Sequence, residues 1–257
     1  MIWLRSLLFY VAFYLWTALL SLPFLPLLLA PASWMMRCGT LWSRGVLLLL
    51  RLCVGLDHRV VGRERLPPGP VLIAMKHQSA WDTFAAPVIF RDPAVVIKRE
   101  LGWIPIYGWY ALKAGMIPID RMGRGGALKA MVAASAKALA RGRPIFIFPE
   151  GTRSAIGERR SYQPGVAALY HRLNVPLVPV AVNSGLFWGR RRILKRPGRI
   201  IVEILPPIPP GGERRAVLAE LEARIEAATA RLVAAAQRPS GDKAVESVPA
   251  RRDESRG

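Results

Sequence analysis

The chain has 257 residues, 52% of them hydrophobic, with 37 Lys and Arg against 17 Asp and Glu for a formal net charge of +20. That length holds one domain of about 200 residues with a sizeable core plus an appendage, and the excess of arginine favours polyanions or an anionic membrane surface over neutral partners. The two cysteines, Cys38 and Cys53, indicate no disulfide framework, and no Cys/His cluster has the spacing of a metal site.

Residues 6–36 carry no charge, and residues 7–22 are almost continuously leucine, phenylalanine, tyrosine and tryptophan behind the basic Arg5. Such a run belongs in lipid, and its continuation past Pro23, Pro26 and Pro31 to Trp34-Met-Met36 is unlike the short apolar core and small-residue cleavage site of a signal peptide. A second apolar stretch, residues 45–56, is too short to span, since about 20 residues are needed. Together with Trp3, Trp16, Trp34 and Trp42 and the flanking Arg37, Arg44 and Arg51, it fits either one span with a shallow second helix or a two-helix hairpin embedded in one leaflet. Basic segments stay cytoplasmic, so the strongly basic remainder is expected to face the cytosol at the inner membrane.

From about residue 57 short β-rich runs alternate with helical stretches. Strands are predicted at 70–75, 94–97, 116–119, 144–148, 177–182 and 199–205, and helices at 83–90, 106–113, 126–141 and 165–173. A last helix, 212–237, puts Val217, Leu218, Leu221, Ile225, Leu232 and Val233 on one face to pack on the sheet. The pattern argues an α/β fold, a mixed sheet flanked by helices, preceded by the membrane-embedded helical segment. The organisation read from it is an anchor at 1–56, an α/β domain at 57–237 and a tail at 238–257 too poor in apolar residues to fold.

The first predicted strand ends in Lys76-His-Gln-Ser-Ala-Trp-Asp82. Five residues on a regular helix turn a side chain through roughly 500°, leaving the pair about 140° apart, so His77 is expected in the turn after the strand and Asp82 in the first turn of the next helix. An imidazole takes a proton near neutral pH and a carboxylate fixes its tautomer, so the pair points to general-base chemistry; taken alone it reads equally as a histidine capping a helix. Three more segments each end or follow a predicted strand: Gly115-Met-Ile-Pro-Ile-Asp-Arg121, Phe148-Pro-Glu-Gly-Thr-Arg-Ser154 and Val175-Pro-Leu-Val-Pro-Val180. Loops beyond strand ends are where open α/β sheets bind ligands. Arg121 and Arg153 can each present a planar fork to a phosphate, Gly151 and Thr152 backbone N–H groups and a hydroxyl, and Lys98 a third cation.

These four ordered blocks resemble the 1-acylglycerol-3-phosphate acyltransferases of the glycerolipid acyltransferase superfamily over roughly residues 60–207. The second block departs from that family, which usually carries an aromatic where Ile117 or Pro118 stands. The resemblance implies transfer of a fatty acyl group from acyl-CoA or acyl carrier protein to the sn-2 hydroxyl of lysophosphatidic acid, with no cofactor, no metal and no covalent intermediate. It implies His77 as base and Asp82 as its orienting acid, Arg121, Gly151, Thr152 and Arg153 on the acceptor phosphate, Glu150 in the acceptor site and the fourth block along the acyl path; Lys98 is added from its charge and position. The residues agree on direct attack, since there is no Gly-x-Ser-x-Gly elbow and neither cysteine falls in the α/β body.

The basic surface, with six cations in Arg190-Arg-Arg-Ile-Leu-Lys-Arg-Pro-Gly-Arg199, suits anionic membrane lipids as partners. Rival readings are the same chemistry on another lysolipid such as lyso-ornithine lipid, a catalytically silent lipid-binding scaffold, and a membrane-tethered nucleic-acid-binding protein, for which no recognition motif is present.

Overall fold

Leu72–Met75 form strand β2, and all four of its residues are buried. Successive side chains of a strand point to opposite faces. Ile73 and Met75 accordingly join one apolar cluster with Val46, Leu50, Trp81 and Phe146, and Leu72 and Ala74 join another with Ile145, Val166, Leu177 and Leu221. A sheet covered on both faces is the usual setting of parallel strands. This computed structural model describes residues 1–120 and 125–238; Arg121 and nearly all of the expected C-terminal tail lie outside the described residues.

The sheet has seven strands, with β1 at Leu56–Val61, β3 at Ala94–Lys98, β4 at Ile117–Ile119, β5 at Ile145–Ile147, β6 at Leu177–Val182 and β7 at Gly198–Ile204, in the order β1-β7-β6-β2-β5-β3-β4. Strands β6, β2, β5, β3 and β4 are mutually parallel; β7 runs antiparallel to β6, and β1 pairs parallel with β7. The six predicted strands are all present. β1 has no counterpart in the predicted set, because Asp57, His58 and Arg59 interrupt its apolar pattern and its place depends on pairing with β7 nearly 140 residues later. Pro118 sits on β4, the outermost strand, where a missing N–H costs no ladder bond to a further neighbour.

Helices α1 (Ile2–Ser21) and α2 (Ala32–Leu49) form a hairpin. Trp16 Nε1 donates to the Trp42 carbonyl at 3.1 Å and Trp42 Nε1 to Thr17 Oγ1 at 3.2 Å. Gly45 permits this approach, since a Cβ there would lie 2.3 Å from the Trp16 ring. The second helix begins far ahead of the apolar stretch that marked it in the sequence: Met35, Ser43, Val46 and Leu47 are buried while Arg37 and Arg44 are exposed, an amphipathic pattern in which the charges sit outside.

The hairpin packs on the body. Phe9, Val46, Leu50 and Val54 share one core cluster with the strands, and Phe13 and Trp42 lie against Phe84. Farther along the chain Lys195, fully buried, is enclosed by the rings of Phe9, Tyr10 and Trp188 with Nζ 3.5 to 4.8 Å from their centroids. Burial pushes its ammonium pKa down to about 8, while the three ring faces favour the cation. On the opposite face of the sheet α5 (Gly125–Leu139), α6 (Pro164–Leu173) and α7 (Arg214–Gln237) close the second cluster.

Candidate active site

Because five strands are parallel, the chain leaves β2, β3, β4, β5 and β6 at one edge of the sheet. Lys76 and His77 follow β2 there, and helix α3 (Ala80–Ile89) begins three residues later. Its start is set by Ser79, whose hydroxyl accepts from Trp81 N at 3.1 Å, while Asp82, three residues on, accepts from Ser79 N at 2.8 Å. This reciprocal capping box explains how a five-residue spacing converges: the histidine stays in the turn and the carboxylate swings back from the first helical turn.

Asp82 is fully buried. Its Oδ2 accepts from Gln78 N at 2.7 Å and Ser79 N and lies 3.0 Å from His77 Nδ1, and its Oδ1 accepts from Ser184 Oγ at 2.5 Å. A carboxylate can only accept, so Nδ1 carries a proton, and in the neutral ring the lone pair is then on Nε2. The ring stacks on Phe148, with centroids 3.8 Å apart and planes 15° from parallel. Its backbone is pinned too: His77 N donates to Glu150 Oε1 at 3.0 Å, and the His77 carbonyl accepts from Ser154 N at 2.8 Å. The arrangement is that of a base with its orientation fixed and one nitrogen free to take a proton.

The Glu150 side chain, which the resemblance places in the acceptor site, is fully buried, accepting from His77 N and lying 3.5 Å from Lys76 Nζ. Lys76 in turn meets Glu226 Oε1 of α7 at 2.5 Å, and Tyr162 OH donates to the same oxygen at 3.1 Å. Burial pushes the Glu150 carboxyl above its ordinary range and, with Glu226 beside it, raises the Tyr162 phenol strongly. Glu150 thus ties the backbone of His77 to the buried Lys76–Glu226 pair.

The cationic residues are disposed differently. Gly151 adopts φ +69°, the left-handed conformation that lets the chain turn directly after Glu150, and Thr152 and Arg153 follow half-buried. Arg153 makes no ion pair among the described residues. Lys98 ends β3, two strands from β2 and so roughly 10 Å away across the sheet, with its side chain 49% exposed and 3.3 Å from Glu100.

Sequence reasoning missed Lys76, Gln78, Ser184 and Glu226. Lys76 and Gln78 flank the histidine and carried a positional signal. Ser184 and Glu226 lie 102 and 150 residues from their partners, and only the fold connects them.

A family model described as Acyltransferase matches residues 57–183. Over 186 residues the chain is 37% identical to a 1-acyl-sn-glycerol-3-phosphate acyltransferase of Pseudomonas aeruginosa, with 72% of each chain covered. It is 33% identical over 165 residues to the protein of that name from Saccharomyces cerevisiae, covering 62% of this chain and 54% of the yeast one. The crystal structure of the 1-acyl-sn-glycerophosphate acyltransferase of Thermotoga maritima matches with a TM-score of 0.75 at 21% identity, over 93% of this chain and 100% of that one, a likeness of fold.

Proposed function

The chain belongs to the 1-acyl-sn-glycerol-3-phosphate acyltransferases, and from that membership we propose how it makes phosphatidic acid. His77 Nε2 removes the proton of the sn-2 hydroxyl of 1-acyl-glycerol-3-phosphate as that oxygen attacks the carbonyl of an acyl thioester, carried by coenzyme A or by acyl carrier protein. The tetrahedral intermediate collapses with cleavage of the C–S bond, and the proton held by His77 goes to the departing thiolate. Asp82 keeps the imidazole in the productive tautomer. Arg153 and the Gly151-Thr152 turn hold the acceptor phosphate, with Lys98 as an outer cation and Arg121 contributing from outside the described residues.

The observation that carries this reading is the His77–Asp82 contact of 3.0 Å, with the carboxylate buried at the edge where five parallel strands end. Its test is thiol release by purified protein given lysophosphatidate and a long-chain acyl thioester. Release should fall about 10²- to 10⁴-fold in His77→Ala, the usual worth of a general base. Wild-type release with lyso-ornithine lipid alone would keep the chemistry and overturn the substrate.

The helix Ile2–Ser21 is long and apolar enough to cross a membrane, and we read it as the enzyme's membrane attachment. We place the hairpin in a single leaflet on the cytosolic side. Supporting this, α1 is bound to the body at both ends: Ser6 Oγ accepts from Lys195 N at 3.0 Å, Phe9 meets Trp188 edge-to-face, and Tyr110 OH donates to the Ser21 carbonyl. A helix crossing the bilayer would have to give up one of those ends. Residues such as Trp3, Leu7 and Leu15 stay exposed along its outer face for lipid. A single cysteine at residue 2, in a Cys38→Ser/Cys53→Ser background, should react with an impermeant reagent only from the cytosolic side of sealed vesicles; reaction from the other side alone would restore the span.

A further inference from the structure

We propose that Ser184 is a positioning residue for the acyl transfer, holding the carboxylate that holds the base; the inference rests on the His77–Asp82 reading above. Three of the four donors around Asp82 converge on Oδ2: the His77 ring and the Gln78 and Ser79 amides. Oδ1 is met by the Ser184 hydroxyl, at 2.5 Å, and both residues are fully buried. Without that donor the capping box still grips one oxygen, but the carboxylate is left free to rotate about it, and the angle at which Oδ2 meets Nδ1 is no longer fixed.

The segment around Ser184 is built as a rigid bracket. Asn183 bridges two elements, accepting from Ile201 N on β7 at 2.8 Å and donating to the Leu232 carbonyl on α7 at 3.4 Å. Gly185 N donates to Gln78 Oε1 at 3.1 Å, tying the turn to the residue beside His77. A Cβ on Gly185 would come within 2.9 Å of Ile156 Cδ1 and 3.1 Å of Gln78 Cβ, so the turn is packed as tightly as glycine allows. Trp188 N closes back on the Ser184 carbonyl at 3.0 Å, and its ring rests on Phe9 of α1. The hydroxyl is thereby fixed relative to β6, β7, α7 and the membrane helix at once. The family match ends at residue 183, one position short of it.

The test is Ser184→Ala beside wild type and His77→Ala, with thermal midpoint, kcat, KM for both substrates and the pH profile of kcat/KM. A charge-assisted hydrogen bond to an essential carboxylate predicts a kcat about 10- to 100-fold lower with both KM values within about twofold. The acidic limb should move to higher pH, because a carboxylate that has lost a donor holds the imidazolium more tightly. Ser184→Thr, which keeps the hydroxyl, should restore both rate and limb. An alanine variant within about twofold of wild type, or one whose loss tracks its loss of folded protein with the limb unmoved, overturns the inference. Should alanine not fold, Ser184→Cys fills the volume with a poor donor and is read by the same criteria. Full activity in His77→Ala would overturn the base itself, an outcome separable from a silent Ser184.

Discussion

Around His77 the groups that orient the ring and its backbone are sealed from solvent, Lys76, Asp82, Glu150 and Ser184 each being at most 3% exposed. Around the residues assigned to the phosphate, Lys98 is half exposed and the turn at Gly151, Thr152 and Arg153 is half-buried. On the proposed mechanism the difference follows from what each half would do. Proton transfer from a bound hydroxyl requires the base within a fraction of an ångström of its working position, which only packed and hydrogen-bonded side chains provide. A phosphate arriving from a lipid surface needs cations that reach out to it and release the product, and for that a solvated, rotatable side chain is better suited than a locked one.

Breaking the sealed half should show first in stability. Lys76→Met keeps the volume but leaves Glu150 and Glu226 facing each other without a cation. Removing one partner of a buried ion network costs about 3 to 5 kcal/mol, which for a chain of this size lowers Tm by roughly 10 °C. The pH dependence has a definite sign. The Glu150 carboxyl is raised above its ordinary range by burial, so the stability it contributes is present at low pH and lost as pH rises through the raised value. The Tm deficit of Lys76→Met should therefore be larger at pH 8 than at pH 6, and turnover should fall as well, since Glu150 holds the His77 amide. A variant that loses neither stability nor rate would show that the network behind the histidine is dispensable.

The same contrast explains how much of the site could be read from the chain. His77 and Asp82 were legible because a strand, a turn and a capped helix lie within a dozen residues, so local rules settle where each side chain goes. The α/β alternation was legible for the same reason, and predicted strands fell on β2 to β7. What escaped depends on long-range pairing: β1 on β7, Ser184 on Asp82, Glu226 on Lys76. Glu150 illustrates the limit most sharply. The resemblance implied a group in the acceptor site and said nothing of Lys76 across the strand end and α7 behind it, which draw the side chain inward. A charged residue next to a ligand loop has no direction until its buried partners are known.

Substitutions in the exposed half test the contrast from the other side, and with smaller effects. Arg153→Ala should raise KM for lysophosphatidate about 10-fold with kcat little changed, the signature of a group that binds ground state and transition state alike. Lys98→Ala should raise it only about 2- to 3-fold, because the ammonium is half exposed and already beside Glu100 at 3.3 Å. Both effects should shrink in high salt, Lys98 the more completely, since screening acts most on solvated charges. Neither should shift the acidic limb of the kcat/KM profile or lower Tm by more than a degree or two. If instead Arg153→Ala lowered kcat as far as a substitution beside Asp82, or impaired an acceptor lacking phosphate equally, the two halves would be one, and the arginine would belong with the groups that set the base.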